Sequence, residues 1–333
     1  LDDGGKIIVR GAAGDAWMRI DAHPAQLMEI FGAQVAQGQQ MAQMMGGMAL
    51  GQAGFGFEDV DTIVTAAFSF PKQIEALVVS IPTEYEPGEA MDVTVDLDPK
   101  AGTWFGNLVT NLQPLASGVP QLGNTGSAMV RMGANVDMGK ILPQLLPMMG
   151  LFAGIGQTDK EAKAAAARVM KTYYEGLSGA MSMAFDMDSG AQIVMGASDP
   201  AKLKTAMADP AYIQMTKASS EASGMVEAIV DTESMTHRDV SVMRTEVIYD
   251  DPDMAPFAED GKMETYAAVA GNFIVMSMMG GAKAGIQAMI DDALDGRIER
   301  SQLAGGALMV INVDIRSLIE FMAAQGGMPA DTD

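Results

Sequence analysis

The chain has 333 residues, of which 43 are acidic and 21 basic, so its net charge is −22; it has two histidines and no cysteine. The missing cysteine excludes disulfides, Cys-bound zinc, Cys-bound iron–sulfur clusters and a thiol nucleophile, and His23 and His237 alone leave little room for a histidine-based triad. The negative charge opposes phosphate backbones. The composition therefore predicts a protein that binds no nucleic acid, carries no cofactor and is not an enzyme.

A short pattern of strand, aspartate and apolar helix recurs along the chain. Its three copies are Trp17–Asp21, Met129–Asp137 and Leu308–Asp314, and each leads into an apolar segment. A short acidic side chain can accept hydrogen bonds from the first free amides of a helix. The pattern thus predicts Asp21, Asp137 and Asp314 as helix N-caps.

Other helices and hairpins are predicted from turn and cap residues. Asp98-Pro99 and Asp199-Pro200 each follow an alternating strand, and aspartate before proline is a helix start signal. These start signals predict helices over Ala101–Leu115 and Ala201–Met207. The alanine run in Lys160–Tyr174 predicts another helix, and a further helix is predicted over Ala282–Leu294. The predicted strand pairs are Thr62–Phe70 with Gln73–Ile81, Met181–Met187 with Ala191–Ala197, Met225–Asp231 with Val240–Asp250, and Glu264–Ala270 with Phe273–Met279.

This order of elements predicts an α+β fold with two related halves of antiparallel sheet and helices packed on one face. The halves are placed at residues 1–120 and 121–333, with a third strand–Asp–helix unit at 305–325. Between them, proline and glycine are frequent around Ala116–Gly126.

Four long stretches carry no charged residue: Ile30–Phe57, Ala101–Val130, Ile141–Thr158 and Thr265–Ala282. Their length alone would suit membrane spans. Glutamines, glycines, asparagines and prolines interrupt them, so we interpret them as buried core elements and expect no transmembrane segment.

The strand–Asp–helix starts, the strands ending in Asp-Pro, and the turn and strand Gly271–Met276 before an alanine-rich helix together resemble duplicated secreted bacterial envelope proteins of unknown function. The resemblance spans most of the chain and rests on pattern. It implies a duplicated α+β fold and an envelope location, and it transfers no catalytic residue. The acidic composition and the start at Leu1 are compatible with the same extracytoplasmic location, whether periplasmic, cell-envelope or secreted.

Catalytic and metal-binding motifs are weak. Ser234–Asp239 contains Ser, His and Asp, but neighbours in an extended run point to opposite faces, which favours a hairpin connection. Asp186–Gly190 resembles the opening of a calcium loop, yet Ala197 stands where the loop needs glutamate. Asp250–Asp253 could bind a divalent ion or form a solvated acidic loop, and the second interpretation is preferred. We therefore assign no metal site.

Methionine, with 31 residues, is the unusual feature. Flexible core filler, an adaptable apolar binding groove and thioether capture of copper(I) remain open, with core filler preferred. The expected function is a non-catalytic binding protein with an apolar cleft for a hydrophobic small molecule or protein partner. Seven residues are predicted to line the cleft: Met18, Leu27, Met28, Phe31, Met41, Met44 and Met45. The alternative is a structural subunit of a cell-envelope or extracellular assembly, with self-association through apolar faces and strand edges.

Overall fold

A computed structural model shows two compact units, Leu1–Asn111 (unit 1) and Leu112–Asp333 (unit 2). The structure describes residues 8–11, 16–52, 64–65, 67–82, 94–122, 128–153, 159–186, 190–222, 227–248, 261–279, 281–303, 308–314 and 317. Along the chain, the division between the two units falls nine residues before the predicted boundary. The predicted relation between two halves stays a prediction.

Unit 1 contains a four-stranded antiparallel sheet in the order β1-β2-β3-β4. Its strands are β1 Ile8–Gly11, β2 Ala16–Ala22, β3 Ile74–Pro82 and β4 Thr94–Pro99. Its helices are α1 Pro24–Ile30, α2 Gly32–Gln52 and α3 Trp104–Asn111, and a 3₁₀ turn covers Phe70–Gln73. Proline suits the first turn of α1 because its missing amide hydrogen has no partner there in any case.

Unit 2 contains an eight-stranded antiparallel sheet in the order β14-β6-β7-β8-β12-β11-β10-β9. Its strands are β6 Val130–Asn135, β7 Leu177–Asp186, β8 Gly190–Ala197, β9 Glu227–His237, β10 Val240–Ile248, β11 Lys262–Ala270, β12 Phe273–Met278 and β14 Met309–Val313. A small ladder joins β5 Val119–Pro120 to β13 Arg300–Ser301. The helices are α4 Met138–Ala153, α5 Lys160–Gly176, α6 Pro200–Ala208, α7 Pro210–Ala222 and α8 Ala282–Leu294.

The α+β class with antiparallel sheets is confirmed, but the large sheet carries helices on both faces rather than on one. Every residue of β11 from Tyr266 to Ala270 is buried, and alternate strand residues point to opposite faces. On one face, Tyr266, Ala268 and Ala270 belong to the same buried cluster as Ile286 and Ile290 of α8. On the other face, Ala267 and Val269 belong to a cluster with Leu203 of α6 and with residues of α5 and α7. A strand that is apolar on both faces needs cover on both.

The predicted caps have mixed outcomes. Asp137 accepts a hydrogen bond from the Gly139 amide at 3.0 Å at the start of α4, and Asp199 accepts from Ala201 and Lys202 at 3.1 Å. Asp314 accepts from the Ser317 amide at 3.2 Å. The N-cap predictions for Asp137 and Asp199 are confirmed. Asp314 makes the hydrogen bond of an N-cap, but only residue 317 of the segment after it lies within the described residues, so its role stays a prediction.

Two cap predictions in unit 1 are wrong. Asp21 lies inside β2, and the N-cap of α1 is His23, since the strand continues one residue past the aspartate. Asp98 lies inside β4, and α3 begins only at Trp104. The hydroxyl of Thr103 accepts a hydrogen bond from the Gly106 amide at 3.0 Å and supplies the missing acceptor.

Hairpins of unit 2 form where the turn residues predict them. Gly271 has φ +55°, which glycine adopts without strain, and joins β11 to β12. The predicted strand over Thr62–Phe70 is wrong, because residues 64–65 and 67–69 are helical and run into the 3₁₀ turn at Pro71. Among the described residues no helix is both long enough and apolar enough to cross a membrane.

Candidate functional site

The seven residues predicted to line a cleft all belong to unit 1. Met18 lies in β2, Leu27 and Met28 in α1, Phe31 between α1 and α2, and Met41, Met44 and Met45 in α2. Leu27 and Met28 are half-buried, whereas Phe31 and Met41 are exposed. The side chains of Met18, Met44 and Met45 lie outside what the structure describes.

The helices α1 and α2 follow one another almost without a break. The Phe31 amide donates to the Leu27 carbonyl at 2.9 Å, and the Phe31 carbonyl accepts from the Val35 amide at 2.8 Å. His23 at the start of α1 has its Nδ1 2.9 Å from the Glu75 carbonyl oxygen of β3. These bonds fix the junction that carries Phe31 on the outside of a helical segment.

Three large apolar side chains are exposed along this segment: Ile30 at 55%, Phe31 at 50% and Met41 at 51%. We call these three residues the apolar helix surface. No charged residue occurs between Ile30 and Phe57, although unit 1 as a whole has 15 acidic and five basic residues. Gln34, Gln37 and Gln40 supply exposed polar side chains here, so the unusual feature is that no charge accompanies the three exposed apolar side chains.

The packing of α2 against unit 1 uses another part of the helix. A Cβ atom placed on Gly38 would lie 3.5 Å from the Phe68 ring, which is ordinary van der Waals contact. The Gln39 amide nitrogen lies 3.4 Å from the Thr65 hydroxyl. These contacts hold the middle of α2 and leave Phe31 and Met41 exposed.

Unit 2 contains a cleft between α6 and the strands β9, β10 and β11, with a volume of about 280 Å³. Its buried floor is formed by Met207, Met243, Ala267 and Val269. Its exposed rim carries Lys204 of α6, Glu233 of β9 and Asp239 of the β9–β10 turn. We call this feature the α6–β10 cleft. No local sequence pattern predicts it, because its walls come together only in the folded unit.

A polar cluster fixes the β9–β10 turn to the end of α8. His237 Nε2 lies 2.9 Å from Asp291 Oδ1, and Arg238 Nη1 donates to Asp295 at 2.7 Å. The hydrogen bond from His237, with that from Arg238, holds the pKa of Asp291 below its usual range, and Arg238 and Arg297 do the same for the pKa of Asp295. The Ser234 hydroxyl donates to the Val242 carbonyl at 3.0 Å instead of to His237. The predicted hairpin is present, but Ser234–His237 belong to strand β9 and only Arg238 and Asp239 form the turn to β10, so the connection is shorter than predicted.

A second cluster of charges lies across β10 and β11. Arg244 Nε donates to Glu264 at 2.9 Å and its guanidinium also contacts Glu246, while the Tyr266 hydroxyl donates to Glu264 at 3.0 Å. Burial raises the pKa of Glu264, but the hydrogen bonds from Arg244 and Tyr266 outweigh burial and lower it overall. The arginine between the two carboxylates makes this a structural ion-pair network. The described residues contain no cluster of three or more histidine or acidic side chains that could hold a metal ion.

The outer strand of the large sheet presents a third apolar feature. Met309 and Ile311 of β14 are 55% and 56% exposed, and Val313 is exposed on the same face. In the described part of the chain no strand pairs with the outer edge of β14. The strand contains neither a charged residue nor proline.

No family model, curated protein or solved structure matches this chain. We therefore infer function from the apolar helix surface, the α6–β10 cleft and the exposed face of β14.

Proposed function

We propose that this chain is a non-catalytic, extracytoplasmic binding protein that holds a protein partner on the apolar helix surface of unit 1. The observation that supports this proposal is the exposure of Ile30, Phe31 and Met41 along a segment without charge. Each of the three side chains exposes half or more of its area, and burying a large apolar side chain is worth about 1.5–3 kcal/mol. A partner that covers them gains about half of this free energy for each side chain, because each is already about half covered.

The shape and the charge of this region favour one kind of partner. Phe31 and Met41 lie on the outside of a helical segment, where a partner's own groove or face can cover them more readily than a small molecule can. The excess of acidic over basic residues in unit 1 favours a basic rim around the partner's apolar face. The proposed partner is thus a protein with an apolar patch bordered by lysine or arginine.

A designed peptide tests this proposal directly. The probe is an amphipathic helical peptide of leucine and lysine, and its counterpart has glutamate in place of lysine; fluorescence anisotropy measures binding of each. We expect saturable binding of the basic peptide only, and a loss of affinity of about tenfold or more in Phe31→Ser/Met41→Ser, since large apolar anchors dominate interfaces.

The matched control is Gln40→Ser, which changes an exposed polar residue of α2. It should bind the basic peptide as the parent chain does. The proposal is contradicted if the parent chain and Phe31→Ser/Met41→Ser bind the basic peptide with equal affinity. It is also contradicted if Phe31 is needed for binding to vesicles of zwitterionic lipid but is not needed for binding to the peptide.

The second candidate function is that of a structural subunit, and β14 favours it. Natural edge strands are usually protected by charges, proline or bulges. On the opposite edge, β9 carries Glu227, Asp231 and Glu233 and has an irregular register with β10. Because this edge of β14 carries no charge, a second copy of the acidic chain can approach it without charge repulsion there. The β14 strands of the two copies would then pair antiparallel.

Sedimentation velocity distinguishes this second candidate from the first. Here a dimer of the parent chain becomes a monomer in Ile311→Lys, while Ile229→Lys on the exposed face of β9 leaves the dimer intact. A monomeric parent chain at all accessible concentrations overturns the candidate without affecting the peptide-binding proposal.

A further inference from the structure

We propose that the α6–β10 cleft of unit 2 binds a small zwitterion with an apolar body, of the chemical class of an aromatic or aliphatic α-amino acid. The site is independent of the apolar helix surface. Its volume of about 280 Å³ is close to the lower end of the range for small-molecule sites.

The floor of the cleft suits an apolar body. Met207, Met243, Ala267 and Val269 are all buried, and they come from α6, β10 and β11. Methionine sulfur is polarisable and makes favourable contacts with the edges of aromatic rings. Two methionines in one floor therefore favour a planar ring or a branched aliphatic group as the buried part of the ligand.

The rim of the cleft carries charges of both signs on opposite walls. Lys204 lies on the helix wall, while Glu233 and Asp239 lie on the wall made by the β9–β10 hairpin. None of these three side chains forms an ion pair with any of the described residues. A ligand with an ammonium group toward the hairpin and a carboxylate toward α6 would pair with both walls.

The backbone at the hairpin wall departs from a regular ladder at this point. Val242 pairs with Met235 and Arg244 pairs with Asp231, so the single residue Met243 faces the three residues Thr232–Ser234. Extra residues of this kind form a β-bulge, and bulges redirect side chains next to binding sites. The bulge brings Thr232 and Glu233 to the cleft, while the Glu233 amide donates to the Asp231 carboxylate at 3.0 Å.

The turn residue Asp239 has φ +63°, in the left-handed region. Aspartate and asparagine adopt this region more readily than other residues with side chains. Asp239→Asn therefore removes the charge and keeps the turn. The position gives a clean test of the carboxylate.

Methionine methyl NMR tests the inference on the full chain. The probes are L-phenylalanine, 2-phenylethylamine, which lacks the carboxylate, and 3-phenylpropionate, which lacks the ammonium group. The methyl signals of Met207 and Met243, assigned with methionine-to-leucine variants, should shift saturably with L-phenylalanine. Each single-charge analogue should bind about tenfold or more weakly, because it leaves the charge on one wall of the cleft without a partner.

The variants separate the two walls of the cleft. Glu233→Gln/Asp239→Asn should remove the advantage of L-phenylalanine over 3-phenylpropionate, and Lys204→Met should remove its advantage over 2-phenylethylamine. Glu161→Gln, an exposed acid at the start of α5, is the control and should change neither. Phe31→Ser/Met41→Ser should leave these shifts unchanged, which keeps this test apart from the peptide experiment.

Three results would overturn the inference. One is the absence of saturable shifts at both methyl groups with L-phenylalanine up to its solubility. Another is equal affinity for the three probes. The third is binding that persists unchanged in Lys204→Met and in Glu233→Gln/Asp239→Asn.

Discussion

The helices α2 and α8 differ in where their apolar side chains lie. In α8 of unit 2 the buried residues are Ala282, Ile286, Met289, Ile290 and Ala293, which recur with the period of a helix and pack on the large sheet. The charged residues of α8, which are Lys283, Asp291 and Asp292, lie at other positions of the helix. In α2 of unit 1 no position is charged, and Met41 is exposed.

This difference indicates what each helix does. The buried apolar residues of α8 cover strands β11 and β12 inside unit 2, and Leu294 at its last position is exposed. The described apolar residues of α2 are covered only in part by their own unit. We therefore expect substitutions in α8 to change stability and substitutions at Phe31 and Met41 to change binding.

The largest expected effect is at the contact of α8 with the sheet. Ile286 is fully buried, and Ile286→Ala should lower the free energy of unfolding of unit 2 by about 2–5 kcal/mol, because it removes apolar contacts and leaves a cavity. Urea unfolding followed by circular dichroism measures the change. Both tryptophans, Trp17 and Trp104, lie in unit 1, so their fluorescence follows unit 1 alone. A cost below about 1 kcal/mol would contradict the assigned role of α8.

The next effect contrasts two glycines. Gly179 has φ +96°, and a Cβ atom there would lie 1.9 Å from the Val136 carbonyl oxygen. Gly179→Ala should destabilise unit 2 by about 2–4 kcal/mol through backbone strain and overlap.

Gly38 of α2 is the matched position in unit 1, where the added methyl group makes ordinary contact with Phe68. Gly38→Ala should raise the stability of unit 1 by about 0.5–1 kcal/mol, since alanine loses less backbone entropy in a helix. Thermal unfolding followed by tryptophan fluorescence tests the sign. A clear destabilisation would mean that α2 packs more tightly than its exposed side chains indicate.

A pH-dependent effect should appear where the β9–β10 turn meets α8. Hydrogen bonds from His237 and Arg238 lower the pKa of Asp291 in the folded chain. A lowered folded pKa gives stability that is present above the ordinary aspartate pKa and is lost as the pH falls through the folded pKa. The stability advantage of the parent chain over Asp291→Asn should thus be constant near neutral pH and should vanish in acid. Urea midpoints at a series of pH values measure it, and an advantage that grows in acid would reverse this account.

The smallest effect on stability is expected at the apolar helix surface itself. Phe31→Ser and Met41→Ser should each change the free energy of unfolding of unit 1 by no more than about 0.5 kcal/mol, as exposed substitutions usually do. Tryptophan fluorescence in urea provides the measurement. A loss above about 2 kcal/mol would show that these side chains stabilise the fold rather than a complex.

The sequence predicts local structure well where one short-range signal dominates. The alanine-rich run predicts α5, and the helix predicted over Ala282–Leu294 has the bounds that the structure shows for α8. The turn at Gly271-Asn272 predicts the β11–β12 hairpin. In these segments the pattern and the tertiary environment favour the same element.

Prediction fails where long-range packing decides. The residues of Thr62–Phe70 are rich in β-branched and aromatic side chains, which favour a strand, but the described part of this segment is helical. The sequence also predicts helices on only one face of the sheet. The small alanine side chains of β11 do not indicate that both faces of this strand are buried and that helices must cover both. The α6–β10 cleft depends on a bulge in β9 and on the approach of α6, and neither leaves a local signature.

Oxidative footprinting of methionine tests the central claim most directly. The rate of sulfoxide formation is measured at Met41 and at Met309, which are similarly exposed, with and without the leucine–lysine peptide. The account predicts that the peptide slows oxidation of Met41 and leaves Met309 unchanged. Equal rates at Met41 with and without bound peptide, or equal protection of both methionines, would contradict a docking surface at Ile30, Phe31 and Met41.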